Sequence, residues 1–441
     1  MAAAGLFVSG FEPAARTQRH LGAYFAVLML TLGLAEPTGL VSLPLLFWLK
    51  DGLALRPQAI AAFEAVALIP LYFGFVFGFI RDRWQPFGRD DRAYLLFGAA
   101  SAIASYCWLA GNPTNPVRLL AGMLVGVVAF EFLGASAEGL MTEAAQRHLM
   151  TGRLSALSEV AEIIPSIASM LLGGWIAANF GVRASFLTAA AITIAVLLQA
   201  FWRPHSVFPP GRCVAEPEAH THAIRRLLRT KALWPAIGAL LLWNFSPGWG
   251  TPLVFFLSDE LRLSATAFGA FRAVGFASGA LAAIVYAVLC RRFALRDILW
   301  WTVILNIPAA FLVLLAQDAA QAIIVSGIVG FLLGLLNIAL FDLLRRSCPT
   351  HLVGTGIMLG YSLFSIGGTA GDLFGSWLYE GHGLAVSLGF DALATVAILP
   401  VLLLVPRTIT SSRDGDDEPV DTLPRRPALV ADNLVRPTAN V

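Results

Sequence analysis

The chain has 441 residues, 30 Lys plus Arg against 28 Asp plus Glu, and a formal net charge of +2. It is 57% hydrophobic and only 13% charged, with a mean hydropathy of +0.74. Soluble domains carry about 25% charged residues, so this composition excludes a soluble globule and assigns the chain to a bilayer.

The opening segment, 1–21, holds Glu12, Arg16 and Arg19 and lacks the basic, apolar, small-residue succession of a cleaved signal. It is expected to stay as a cytoplasmic N-terminus. A helix needs about 20 apolar residues to cross about 30 Å of hydrocarbon. Twelve such runs follow, at 22–49, 57–80, 93–111, 117–142, 156–179, 183–202, 232–257, 265–290, 298–316, 320–344, 356–378 and 383–405. A polar linker, 203–231, divides them six and six, and its "HAIRRLLRTKALW" (222–234) is predicted to lie on the inner membrane surface as a basic amphipathic helix. The tail 406–441, rich in Asp, Pro and Arg, is predicted to be disordered.

Lysine and arginine accumulate on the cytoplasmic side of membrane proteins. Lys50, Arg56, Arg118, Arg183 and Arg262 fall on one side of these spans, Arg272 lies inside one, and all the others share the side of the termini. Both ends are therefore expected in the cytosol, with the chain in a plasma (inner) membrane. Cys107, Cys213, Cys290 and Cys348 are scattered and imply no disulfide framework.

A shift of 208 lays the end of span one and the start of span two over spans seven and eight. It gives twelve identities between 44 and 66, among them Pro44/Pro252, Asp51/Asp259 and Ala65/Ala273. A shift of 202 pairs span five with span eleven through Gly173/Gly375 and Trp175/Trp377. The fold class predicted is an all-α membrane protein of two pseudo-symmetric six-helix bundles, 22–202 and 232–405.

Ionisable side chains are costly in lipid unless they face a wet cavity or a partner. Spans three, six and nine have none in their cores and span twelve has only Asp391, so these four are expected to face lipid. Spans two, five, eight and eleven carry small residues four apart: Gly74 and Gly78; Ser169 and Gly173; Gly275 and Gly279; Gly367, Gly371 and Gly375. These stripes read as contacts between the bundles. Spans one, four, seven and ten are left to line a central cavity.

Charge is concentrated in "GFIRDRWQPFGRDDR" (78–92), between spans two and three. Asp82 can accept from the free amides at the start of span eleven, near Gly354 to Gly356, because a helix N-terminus carries partial positive charge. Breaking that contact would let the bundles rock. Cys290 stands at the position equivalent to Asp82, so the latch is expected in one half only.

Gly78, Asp82, Arg83, Gly88, Arg89 and Arg92 together resemble the loop signature of the major facilitator superfamily. The extra length made by Trp84-Gln85-Pro86-Phe87 is similar to the branches holding sugar-cation symporters, folate-biopterin transporters and bacteriochlorophyll-delivery proteins. Arg118 and Gly122 resemble a second family element, with Ala121 in place of its usual Gln. The glycines that accompany Pro165 in drug-proton antiporters are here Ile164 and Ala168, which disfavours drug antiport. The resemblance spans 20–405 and implies a twelve-helix transporter with the major facilitator fold.

Counting depth along each span at the helix rise of about 1.5 Å per residue, Glu36 falls at the middle of span one and Glu131 at the middle of span four. Pro37 and Gly39 follow Glu36, and Pro247 and Gly248 follow the corresponding Asn244. Both spans are predicted to break there and expose carbonyls to solute or cation. Desolvation disfavours charge on a buried carboxylate, which suits Glu36 first and Glu131 second to proton coupling. Glu64 and Arg272, related by the 208 shift, are expected to pair across the cavity, or Arg272 to hold an anionic solute. Glu138, Glu143, Glu159 and Glu162, with Arg147 and Arg153, read as a solvated helix end rather than a gate.

All seven histidines fall outside the predicted helix cores, so no metal or haem centre is expected in the membrane. Lys50 and Lys231 follow no phosphate-binding glycine loop, which argues against ATP. No cofactor and no catalytic residue is expected, and the chain is not an enzyme. It reads as a secondary active transporter that moves a small organic solute by proton-coupled symport. A non-transporting pigment or membrane-complex assembly factor and a proton-coupled efflux transporter are the alternatives. The expected partners are the solute, protons and lipid, not nucleic acid, with the chain a monomer.

Overall fold

The computed structural model describes residues 5–55, 63–64, 66–84, 86, 91–112, 114–202, 207, 225, 227–263, 265–349 and 352–415. Among these residues every regular element is helical. Lipid offers the backbone no hydrogen bonds, so a spanning segment must satisfy its own, and helices do so.

Spans three to six are single helices, Asp91–Gly111, Pro116–Arg147, Thr151–Asn179 and Gly181–Phe201. So are spans eight to twelve: Ala265–Arg292, Leu295–Ala309, Ala319–Ser347, Val353–His382 and Leu384–Leu403. Among the described residues, side chains cap two of them. Asn115 accepts from the amides of Val117 and Arg118 ahead of Pro116, and Asp318 accepts from Gln321.

Spans one, two and seven are in pieces: Gly5–Ala35 with Ser42–Phe47, Ile69–Tyr72 with Gly74–Arg83, and Leu233–Asn244 with Thr251–Phe255. Proline removes a donor, and glycine lowers the cost of leaving the helix. The first helix starts at Gly5 instead of 22, so it runs on past the expected membrane edge.

The repeat is visible in the backbone. Trp48–Gly52 and Phe256–Glu260, superimposed by the 208 shift, are both single π turns. Each is closed by the same i to i+5 bond, Leu53 N to Trp48 O at 2.9 Å and Leu261 N to Phe256 O at 3.1 Å. Each leads to a left-handed residue, Ala54 at φ 49° and Arg262 at φ 50°, a conformation that costs a non-glycine residue about 1–2 kcal/mol.

One buried cluster fills the first bundle around Tyr24, Phe25, Tyr106 and Phe186. Another fills the second around Tyr286, Leu336 and Ile398 and takes in Ala135 and Ala156 from the first. Between the bundles, span two packs on span eleven and span five on span eight. Leu187, Leu198, Trp301 and Leu393, on spans six, nine and twelve, stand exposed where lipid would cover them.

Most of the small-residue stripes do something other than join the bundles. Gly78 does press on the Gly354 backbone of the opposite bundle. Gly367, Gly371 and Gly375, however, pack on Leu241, Ser246 and Pro247 of span seven in their own bundle, and Gly173 packs on Leu40 of span one. A broken helix presents a bulky, irregular backbone, and only a neighbour without a side chain can approach it.

The expectation of disorder after residue 406 is corrected in part. Arg407–Thr410 is helical and Asp414 is buried. The rest of that tail, 416–441, the linker residues 203–206, 208–224 and 226, and Gly88 and Arg89 lie outside the described residues; within the amphipathic segment 225 and 227–229 are helical, and Trp234 Nε1 donates to Leu228 O at 3.0 Å.

Candidate functional site

Glu36 sits where span one breaks. Its helix stops at Ala35, whose freed carbonyl accepts from the Tyr106 hydroxyl of span three. The chain then turns through Gly39 N to Glu36 O at 2.9 Å and Ser42 N to Gly39 O at 3.1 Å. Glu36, Glu64, Glu162, Ser166 and Arg272 line a cavity of about 460 Å³. Glu162, Ser166, Arg272 and Phe276 also line a second cavity of about 480 Å³, so the two adjoin as one chamber of ligand size. The second cavity adds Trp243, Asn244, Trp249, Asn306, Asn337 and Asp391.

Span seven breaks at the equivalent place but is braced by carboxylates. Thr251 donates to Asp372 through its amide at 2.6 Å and its hydroxyl at 2.9 Å, which caps the restarted helix. Ser246 donates to Asp391 at 2.6 Å, so the one acid of span twelve points inward and not to lipid. Asn244 Nδ2 donates to Phe364 O at 2.7 Å and ties span seven to span eleven.

The layer assignment needs revision. Spans five and eight, through Glu159, Glu162, Arg272 and Gly275, line the chamber along with one, seven and ten. Among the described cavities none is lined by Glu131. That residue is buried on span four, its Oε2 has no hydrogen-bond partner among the described residues, and it lies against Gly74 next to Ser362 of span eleven. Glu64 and Arg272 share the cavity but form no ion pair among the described residues; the Arg272 guanidinium lies 5.6 Å from the Phe276 ring centre.

On the side of the chain ends the bundles are closed. Asp82 Oδ1 accepts from Gly354 N at 3.1 Å, and its Oδ2 from the Thr355 amide at 2.6 Å and hydroxyl at 2.7 Å. Arg81, 2% exposed, bonds Asp82, Asp91 and Glu143 at once. Deeper in the same seam Arg345, fully buried, donates to Glu138 at 2.7 Å and to Ser155 and Ser158. Tyr361 also donates to Glu138, and Asn337 to Glu159 at 2.8 Å. Glu138 and Glu159 are therefore bonded within a packed seam, and they do not form a solvated helix end. Their partners come from spans ten and eleven and, through Ser158, from span five.

Other expected members of the latch lie elsewhere. Arg92 donates to Ala200 O at the end of span six, and Arg83 sits over the Phe79 ring. Arg118 is at the opposite end of span four from this seam, on Asn112, so it takes no part in it. Sequence reasoning passed over Arg81, Asp91, Arg345 and Asp414. The acids within 78–92 gave a signal for Arg81, since carboxylates grouped near a membrane need a cation.

Asp414, after span twelve, brings a further carboxylate to this side. It accepts from Gly152 N at 3.0 Å and Arg153 Nε at 2.6 Å, at the start of span five. Burial and then Asp342 push its carboxyl above the ordinary value, while Arg153 and the Gly152 amide pull it back.

Comparison with known proteins fits these features. The Major Facilitator Superfamily profile matches residues 40–372. The chain belongs to the major facilitator superfamily. A folate-biopterin transporter of Synechocystis sp. is 24% identical over 429 residues, covering 89% of this chain and 85% of that one. Among solved superfamily structures, the proton:xylose symporter XylE bound to 6-bromo-6-deoxy-D-glucose has a TM-score of 0.66 at 14% identity, over 90% of this chain and 97% of its own. FucP in the outward conformation has a TM-score of 0.67 at 14% identity, over 87% and 98%. The human organic anion transporter MFSD10 (TETRAN) gives 0.61 at 17%, over 88% and 99%. The fold is the twelve-helix major facilitator fold, and the protein is a multi-pass membrane transporter of a small solute rather than an enzyme.

Proposed function

We propose that this chain is a proton-coupled symporter of a small organic solute, a monomer working by alternating access in the plasma (inner) membrane with both ends in the cytosol. The observation that carries the reading is Glu36, a carboxylate on interrupted backbone that lines a chamber shared by both bundles. Such a group can meet water, solute and proton in turn.

Glu131 is the second proton site. Glu131 Oε2, buried with no partner among the described residues and set against Gly74 beside Ser362 of span eleven, would meet water when spans two and eleven part. Asp82 is the latch that holds those two spans together. Arg272 offers a cation to an anionic group of the solute. Trp243 and Trp249 supply faces for a flat ring, and Asn244 and Asn337 hydrogen bonds for its edge. Folate and biopterin are the solutes to try first, given the relative above.

The test is uptake by proteoliposomes under an imposed pH gradient. Acid outside should accelerate entry, and Glu36→Gln should abolish that acceleration while solute still raises the melting temperature. Wild-type uptake indifferent to the gradient, for a solute that binds, would refute proton coupling.

A further inference from the structure

The start of span five is built like the start of span eleven. Gly152 and Gly354 are paired by the 202 shift, and the caps before them share one backbone, φ −136° and ψ 37° at Met150, φ −138° and ψ 38° at Leu352. Both first turns point their amides into the seam between the bundles. At Gly354 the carboxylate comes from Asp82 on span two. At Gly152 the equivalent neighbour on span eight is Cys290, which brings no charge; the Asp342 carboxylate of span ten also lies against the glycine, but it accepts from Tyr286 and Arg346.

The carboxylate that takes the Gly152 amide arrives from the segment after span twelve. Asp414 donates its own amide to Cys290 O at 2.8 Å, which sets it directly over the position that would match Asp82. From there it takes the Gly152 amide and the Arg153 guanidinium, at 7% exposure. Ser412 guides the approach, since Arg346 of span ten donates to its carbonyl at 3.1 Å and its hydroxyl at 3.2 Å. Arg346 is itself fixed by Asp342.

An anchor for the chain end would need only Ser412 and Arg346, which belong to the same bundle. Asp414 goes further and crosses to the other one. We propose that Asp414 is the second bundle's latch carboxylate, supplied by the segment after span twelve, and that it must leave Gly152 before the side bearing the chain ends can open. The inference rests on the alternating-access reading above. It makes Asp414 a positioning residue of the transport cycle, one that never touches solute.

The test uses the full chain in nanodiscs and the native thiol Cys348 as reporter. Cys348 is 1% exposed, packs on Gly356, and lies in the seam by Asp82 rather than by Asp414. Fraying of the chain end alone would leave it covered. Maleimide alkylation of Cys348, read by mass spectrometry, should rise about tenfold or more in Asp414→Asn, the worth of one charge-assisted hydrogen bond. Asp82→Asn should do the same. Adding Cys290→Asp to Asp414→Asn should return the rate close to wild type, because it restores a carboxylate where the first half keeps one. Should Asp414→Asn fold poorly, truncation after Ser411, with and without Cys290→Asp, gives the same comparison.

An unchanged rate in Asp414→Asn beside a raised rate in Asp82→Asn would overturn the inference and leave alternating access standing. A raised rate that Cys290→Asp cannot reverse in a folded protein would also overturn it, since Asp414 would then be a structural tie without latch equivalence.

Discussion

The breaks in spans one and seven use one backbone device for two purposes. Both follow a polar residue with proline and glycine, and both are received by a glycine on the neighbouring helix, Gly173 or Gly375. In span seven the nearby acids are committed to the broken segment: Asp372 caps Thr251 and Asp391 holds Ser246. In span one a neutral tyrosine takes the freed carbonyl and the acid, Glu36, is left facing the chamber. The difference teaches that a carboxylate in a membrane chain is read by its partner and not by its depth. Acids that reach the broken segment from another helix build the site, whereas Glu36 sits on the break itself, bonded to Thr38 of its own turn, and lines the chamber.

Five substitutions probe this contrast. Glu36→Gln should eliminate gradient-driven uptake yet shift stability by no more than about 0.5 kcal/mol; a large drop in melting temperature would make Glu36 a second Asp372. Gly375→Ala drives a methyl into the Pro247 carbonyl and should cost about 3 kcal/mol, seen as lost folded protein on size exclusion. Asp372→Ala should lower stability by about 2 kcal/mol, checked by thermal melts in detergent, with proton coupling intact. Gly173→Ala, the counterpart of the glycine change above, meets Leu40 O at 2.9 Å and should cost about 1 kcal/mol, so losses equal to those of Gly375→Ala would contradict the tighter packing of the second break. Arg272→Ala should leave the melting temperature within error while weakening competition by anionic solutes.

Much of this was readable in the residues. Periodicity and length set out the spans, and the 208 shift already aligned the stretches that turn alike, Trp48–Gly52 and Phe256–Glu260. The Asp82 contact followed from electrostatics, since a helix start attracts a carboxylate wherever one is near. What escaped were contacts that depend on how helices are rotated. Nothing in the spacing of Gly367, Gly371 and Gly375 says which neighbour they meet, and nothing around Glu131 tells sealed from wet. Asp414 escaped for a different reason: a short polar run after the last apolar segment looks like any solvated end, and only the socket at Gly152 distinguishes it.

The matching turns at Trp48–Gly52 and Phe256–Glu260 give the molecule its own internal control. Two strained corners, alike in geometry and separate in sequence, should be interchangeable parts. Grafting residues 48–55 onto 256–263, or the reverse, should yield a chain that still folds, whereas lengthening either corner by a single residue would misalign one bundle against its twin. The duplication thus survives as a working tolerance as well as a trace of ancestry.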